Sequence, residues 1–229
     1  IPLILIGCVS IVFSCLLLPD VRVSKAKSTD SPIRQLLRSP VFLLFLASAG
    51  LIQGSHAAFY GFSTIHWREA GLTESTIGLL WAEGVAAEVL LFLFSGVVVR
   101  RIGVTRLLLI GASAAVIRWT TTALVTDFFA LVVVQALHAL TFGATHLASL
   151  HFIQRAAPTS SSTTAQALYS AVGLGIASAF MMMAAGHLYE RYQGAAFFAM
   201  AIAATIGGLC ALALRRHWSG GQLRNNQIL

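Results

Sequence analysis

Charge is scarce in this sequence. Only 10% of its 229 residues are Asp, Glu, Lys or Arg, where a soluble domain carries about 25%. With 57% hydrophobic residues and a mean hydropathy of +0.82, that scarcity excludes a soluble core and points to an all-α polytopic membrane protein. Acidic residues are rarer still, 8 against 15 Lys and Arg. The net charge of +7 would suggest nucleic acid in a soluble protein, but the basic residues gather in the loops, so no nucleic-acid partner is expected. Cysteine is limited to Cys8, Cys15 and Cys210, all in apolar stretches without metal-ligand spacing or a disulfide framework. The sequence has no His/Asp/Glu metal spacing, no nucleophile-plus-base constellation and no phosphate-cradling loop. A membrane enzyme, a metal and an organic cofactor are therefore not expected.

What the chain does have is a succession of long apolar runs. Ile1 to Leu18 is just long enough to span. It lacks the charged start and small-residue cleavage site of a signal peptide. Residues 19–40 form a basic linker in which Ile33, Leu36 and Leu37 make a short amphipathic turn, either on the membrane surface or in a solvated loop. The expected spans that follow are 41–67, 75–99, 107–125, 128–152, 164–188 and 195–214, with a tail at 215–229. In the second span Gln53, His56, Tyr60, Ser63 and Trp67 follow helical spacing, a polar stripe that should face other helices or a cavity. In the fifth, Gln135, His138, Phe142 and either Thr145 or His146 line one face near Thr141. The sixth begins with Gln166, Tyr169 and Ser170, and Met181 to Met183 read as apolar filler.

Two charges organise these runs. Glu88 lies twelve residues before Arg100, and Arg118 twelve residues after Arg106. If the two runs fold back on each other, both charges sit about 18 Å from the turn, near the middle of a hydrocarbon core about 30 Å thick. Ionisable groups at that depth face a partner or a watery cavity and are functional candidates. They are expected to pair, either as working groups or as a clamp that only holds two helices together.

Of the 15 Lys and Arg, twelve fall in the linker, the turn Arg100 to Arg106, the loop from Gln154 and the tail. The opposite loops hold Arg68 and Arg191. The first set is therefore expected to be cytoplasmic, tail included. A first residue other than Met, one span, a long linker and six further spans lead to the expectation of a leftover helix followed by a six-helix half. Six-helix halves joined by a long loop are the plan of major facilitator transporters.

The turn Gly96-x-x-x-Arg100-Arg101-x-Gly103-x-x-Arg106 resembles the second copy of the major facilitator loop motif, G-x-x-x-D-R-x-G-R-R, with Arg100 in place of the acid. Longer stretches resemble the 3-phenylpropionic acid transporter family. These are QGSHAAFYGFS (53–63), GLLWAEGVAAEV (78–89), IRW (117–119), QALHALTF (135–142) with His146, and QALYSA (166–171). The similarity runs from about residue 41 to 214. It implies the C-terminal six-helix half of a twelve-helix major facilitator fold. It also implies a permease of the bacterial inner membrane that carries a small aromatic carboxylate with protons, the proton being the coupling ion.

On that basis Glu88, His138 and His146 are the expected proton-coupling residues. Arg118, Gln53, His56, Tyr60, Trp81, Gln135, Phe142 and Tyr169 are the expected substrate-binding residues. A carboxylate would compete with Glu88 for Arg118, whose planar fork suits bidentate binding, and protonating Glu88 would free the arginine. The cycle is expected to be alternating access, with this half rocking against an N-terminal half as its partner. A proton symporter of a neutral solute, such as a nucleoside or sugar, is the alternative. A seven-span receptor fits the long linker and the loop motif poorly.

Overall fold

The computed structural model describes residues 31–223, together with Val9, Phe13 and Leu17. The expected first span, the linker up to residue 30 and the tail beyond residue 223 otherwise lie outside the described residues. Those described form helices and turns only.

A short helix α1 (Pro32–Leu37) precedes the bundle. Its Leu36 is buried in the core, while Ile33 and Leu37 stay exposed, so the amphipathic turn is docked on one side. The first long run starts where Ser39 caps the Phe42 amide and Pro40 opens the first turn. It was expected to be continuous but divides into α2 (Pro40–Gly54) and α3 (Ala57–Glu69). The break has a local cause. Ser55 Oγ donates to the Ile52 carbonyl at 2.6 Å, and His56 Nδ1 lies 3.2 Å and 3.1 Å from the Ile52 and Gln53 carbonyls. Side chains thus take up carbonyls that a continuous ladder would use. Thr73 then caps α4 (Glu74–Leu93).

The expected span 75–99 ends early. Phe94 separates α4 from α5 (Ser95–Ile102), which carries Arg100 and Arg101 in its last turn, both exposed. Only Gly103 separates α5 from α6 (Val104–Leu124), so the basic turn is tighter than expected. Gly103 adopts φ 84°, ψ 159°, a region essentially reserved for glycine. Asp127 caps α7 (Phe128–Ala136). A π-helical segment, Ala139–Ala144, joins α7 to α8 (Thr145–Ala156). A second, Tyr169–Ile176, lies between α9 (Ser162–Leu168) and α10 (Ala177–Tyr192). Helix α11 (Ala196–His217) closes the bundle against α6 and α2.

Among the described residues five helical runs are long and apolar enough to cross a membrane, and the last covers 59 residues, Thr159–His217. At 1.5 Å per residue that is about 90 Å, far more than one crossing. The run reverses at Gln193, where φ is 51°. It therefore supplies two antiparallel crossings, which reconciles five runs with the six spans expected over 41–214.

Apolar packing forms two clusters. One gathers Phe42, Phe45, Phe152, Tyr169 and Trp218, the other Trp67, Leu80, Trp119, Phe197 and Met200. Between them lies a layer of buried polar side chains: Gln53, Ser55, His56, Arg118, Gln135, His138 and Thr141.

Candidate functional site

The polar layer opens into a cavity of about 210 Å³ between α3, α4, α6 and α7. Tyr60, Trp81, Glu88, Arg118, Gln135, His138 and Phe142 all line it. Four other predicted site residues do not. Gln53 and His56 are buried in the packing. His146 and Tyr169 lie on the far side of Phe142, where His146 Nδ1 is 3.1 Å from Tyr169 Oη. Phe142 divides the two regions, stacked on His138 at 5.5 Å and on His146 at 6.0 Å between centroids. Gln53 Nε2 donates to the Phe142 carbonyl at 3.3 Å, which helps hold that partition.

Arg118 is fully buried. Nη2 donates to Gln135 Oε1 at 2.6 Å, and Nη1 donates to His138 Nδ1 at 3.0 Å and Thr141 Oγ1 at 3.1 Å. Gln135 is itself fixed, because its Nε2 donates to the Leu80 carbonyl at 3.2 Å. The guanidinium lies 4.4 Å from the Phe59 ring centroid and 4.7 Å from that of Trp119, a favourable place for a desolvated cation. Its Nε has no hydrogen-bond partner among the described residues.

The expected direct pair of Glu88 and Arg118 is not formed. Among the described residues Arg118 makes no ion pair, and His138 stands between the two charges. Glu88 Oε2 lies 3.4 Å from His138 Nε2. An arginine cannot accept a hydrogen bond, so His138 Nδ1 is the bare nitrogen and the ring hydrogen sits on Nε2, the nitrogen nearer Glu88. Equal depth from a turn brings two groups to one level. Their rotation about the helix axes decides whether they touch, and here it leaves room for an imidazole.

The aromatic wall is a connected set. Phe59 and Trp81 lie 4.4 Å apart, and Tyr60 and Trp81 stack at 6.0 Å. Phe59 was not singled out from sequence. It sits one turn after His56, but the break at Ser55 and His56 shifts the helical phase, so the stripe read through Gln53 does not continue onto it. Gly84 matters for closeness: a Cβ there would lie 3.4 Å from His138 Cβ.

The loop-motif residues lie away from this cavity. Arg100, Arg101 and Arg106 are exposed, Gly96 lies in the first turn of α5 and Gly103 makes the turn. Among the described residues no cluster of three His, Cys, Asp or Glu could hold a metal.

Chemically, the site presents a buried cation whose hydrogen bonds all go to neutral groups. Aromatic rings flank it, and a carboxylate lies one imidazole away. The sequence model of the MFS_1 like family matches residues 4–200. A probable 3-phenylpropionic acid transporter of Escherichia coli K12 is 43% identical over 160 residues, covering 70% of this chain and 42% of the relative. A maltose permease of Geobacillus stearothermophilus is 30% identical over 189 residues, covering 82% of this chain and 48% of the relative. The chain thus spans about half the length of the curated relatives it matches.

Proposed function

The chain belongs to the MFS_1 like family of multi-pass membrane transporters, not enzymes, and from that premise we propose that it forms the substrate-binding half of a proton-coupled permease for small aromatic carboxylates. The observation that carries this reading is Arg118, a fully buried guanidinium on a cavity wall without a carboxylate partner among the described residues. Burying a charge is costly unless something compensates it. An anionic substrate would supply the missing charge, its carboxylate meeting the fork and its ring meeting Phe59, Tyr60 and Trp81. The name of the Escherichia coli relative, a phenylpropionic acid transporter, supports the same class.

Glu88 and His138 are the proposed proton-coupling groups. With Glu88 ionised, its negative charge lies 3.4 Å from His138 Nε2; with Glu88 protonated, the field on Arg118 becomes more positive and favours an entering anion. His146 lies behind Phe142, and its proposed part is confined to a later step on that side. The cavity is smaller than the roughly 300–1,000 Å³ of complete ligand pockets. A second transporter half completes it, and alternating access moves the two halves about the site. The clustering of basic residues supports an inner-membrane orientation with a cytoplasmic C-terminus.

The test is uptake of labelled 3-phenylpropionate into proteoliposomes by the full-length protein under an imposed inward proton gradient. Uptake that collapses with an uncoupler and in Glu88→Gln supports the proposal. Uptake unaffected by the gradient, or none by folded protein, removes it. A neutral-solute symporter is the second reading, favoured by the similarity to the maltose permease. Competition by a sugar and not by carboxylates would select it.

A further inference from the structure

His56 does not reach the cavity, yet it contacts a residue that holds Arg118. Its ring is fully buried where α2 gives way to α3. Nδ1 faces two backbone carbonyls, those of Ile52 at 3.2 Å and Gln53 at 3.1 Å. Carbonyls only accept, so Nδ1 carries the ring hydrogen. The opposite nitrogen, Nε2, lies 3.0 Å from Thr141 Oγ1. A hydrogen there as well would place a second buried cation next to the guanidinium, which is costly. The ring is therefore neutral and Nε2 is a bare acceptor.

Thr141 has a single hydroxyl hydrogen. His56 Nε2 at 3.0 Å is a closer acceptor than the His138 carbonyl at 3.4 Å, so the hydrogen goes to His56. The oxygen lone pairs are then turned to Arg118 Nη1, 3.1 Å away. The opposite assignment would set an Nδ1 lone pair against two carbonyl oxygens.

We infer that His56 is a positioning residue: through Thr141 it holds an acceptor on Arg118 and so fixes the guanidinium fork for an anion. The inference rests on the anion-binding reading of the cavity. It requires opposite tautomers on two neighbouring histidines, Nδ1–H on His56 and Nε2–H on His138.

The test has two arms, both on the full-length protein. In the first, nitrogen NMR of isotopically labelled histidine reads the His56 tautomer, with Thr141→Val used to identify the responding ring. Nδ1–H with a bare Nε2 supports the inference; Nε2–H or an imidazolium overturns it. In the second arm, affinity is measured for 3-phenylpropionate and for its neutral amide. His56→Phe and Thr141→Val should each weaken the acid about tenfold, the scale of one hydrogen bond to a charged group. The double variant should lose no more, Thr141→Ser should keep the affinity, and the amide should be unaffected. Losses that multiply in the double variant, or that fall equally on acid and amide, overturn it. If His56→Phe does not fold, the Thr141→Val and Thr141→Ser pair decides this arm. Wild-type protein that binds neither ligand defeats the carboxylate reading instead, and the tautomer then decides the positioning role by itself.

Discussion

Replacing Arg118 with Met separates a working charge from a structural clamp. The substitution keeps length and apolar bulk and removes the charge. It breaks three hydrogen bonds, to Gln135, His138 and Thr141. At the roughly 0.6 kcal/mol typical of polar contacts between membrane helices, their loss comes to about 2 kcal/mol. Against this, an arginine in mid-span costs about 2.5–3.5 kcal/mol on insertion scales, and that cost disappears. The two nearly cancel, so Arg118→Met should unfold in detergent within about 5 °C of wild type, since 1 kcal/mol is worth about 2–4 °C at this size. The ligand response should differ sharply. A ligand at 100 times its Kd adds about 2.7 kcal/mol to the wild type, roughly 5–10 °C, and should add nothing to the variant. The assay is a thermal unfolding scan with and without 3-phenylpropionate. A variant that loses 15 °C or more without ligand would show that the arginine is a structural clamp. A variant that keeps the ligand shift would show that the anion binds elsewhere. Either result refutes the reasoning.

The remaining predictions follow from single sites. Glu88→Gln should abolish proton-driven accumulation yet retain downhill exchange of labelled for unlabelled substrate; retained accumulation would remove Glu88 from coupling. Gly207→Ala should destabilise the α2–α11 contact by about 1–3 kcal/mol, because its Cβ would lie 2.9 Å from Ile52 Cγ1 and 3.1 Å from the Ser48 carbonyl. Gly78→Ala, with nothing within 4 Å, is the matched control and should melt like wild type. Gly103→Ala should cost about 1–3 kcal/mol through backbone strain alone, read as a lower melting temperature. A reporter that works only in the cytoplasm, fused after residue 229, should be active; silence would reverse the proposed orientation.

Composition and periodicity carried the membrane class and most of the helical runs. Unbroken apolar stretches of this length and low charge read as helices, which satisfy every backbone group within their own segment in lipid. That Glu88 and Arg118 reach one level of the bundle was also legible, because level follows from counting residues along two helices that fold back on each other. Which charges meet was not. Contact depends on rotation about each helix axis, and two local events altered that rotation. Ser55 and His56 break the second span, and the π-helical segment Ala139–Ala144 adds to the turn between His138 and His146. Spacing set His138, Phe142 and His146 on one stripe, yet tertiary packing made Phe142 a partition with His138 inside the cavity and His146 outside it. Phe59, the ring over which Arg118 lies, was hidden by the same shift in phase. The sequence alone determined that polar groups had to be buried in apolar spans. Only the folded bundle decided which of them share one cavity, because hydrogen-bond partners one to three spans apart are chosen by packing and not by position along the chain.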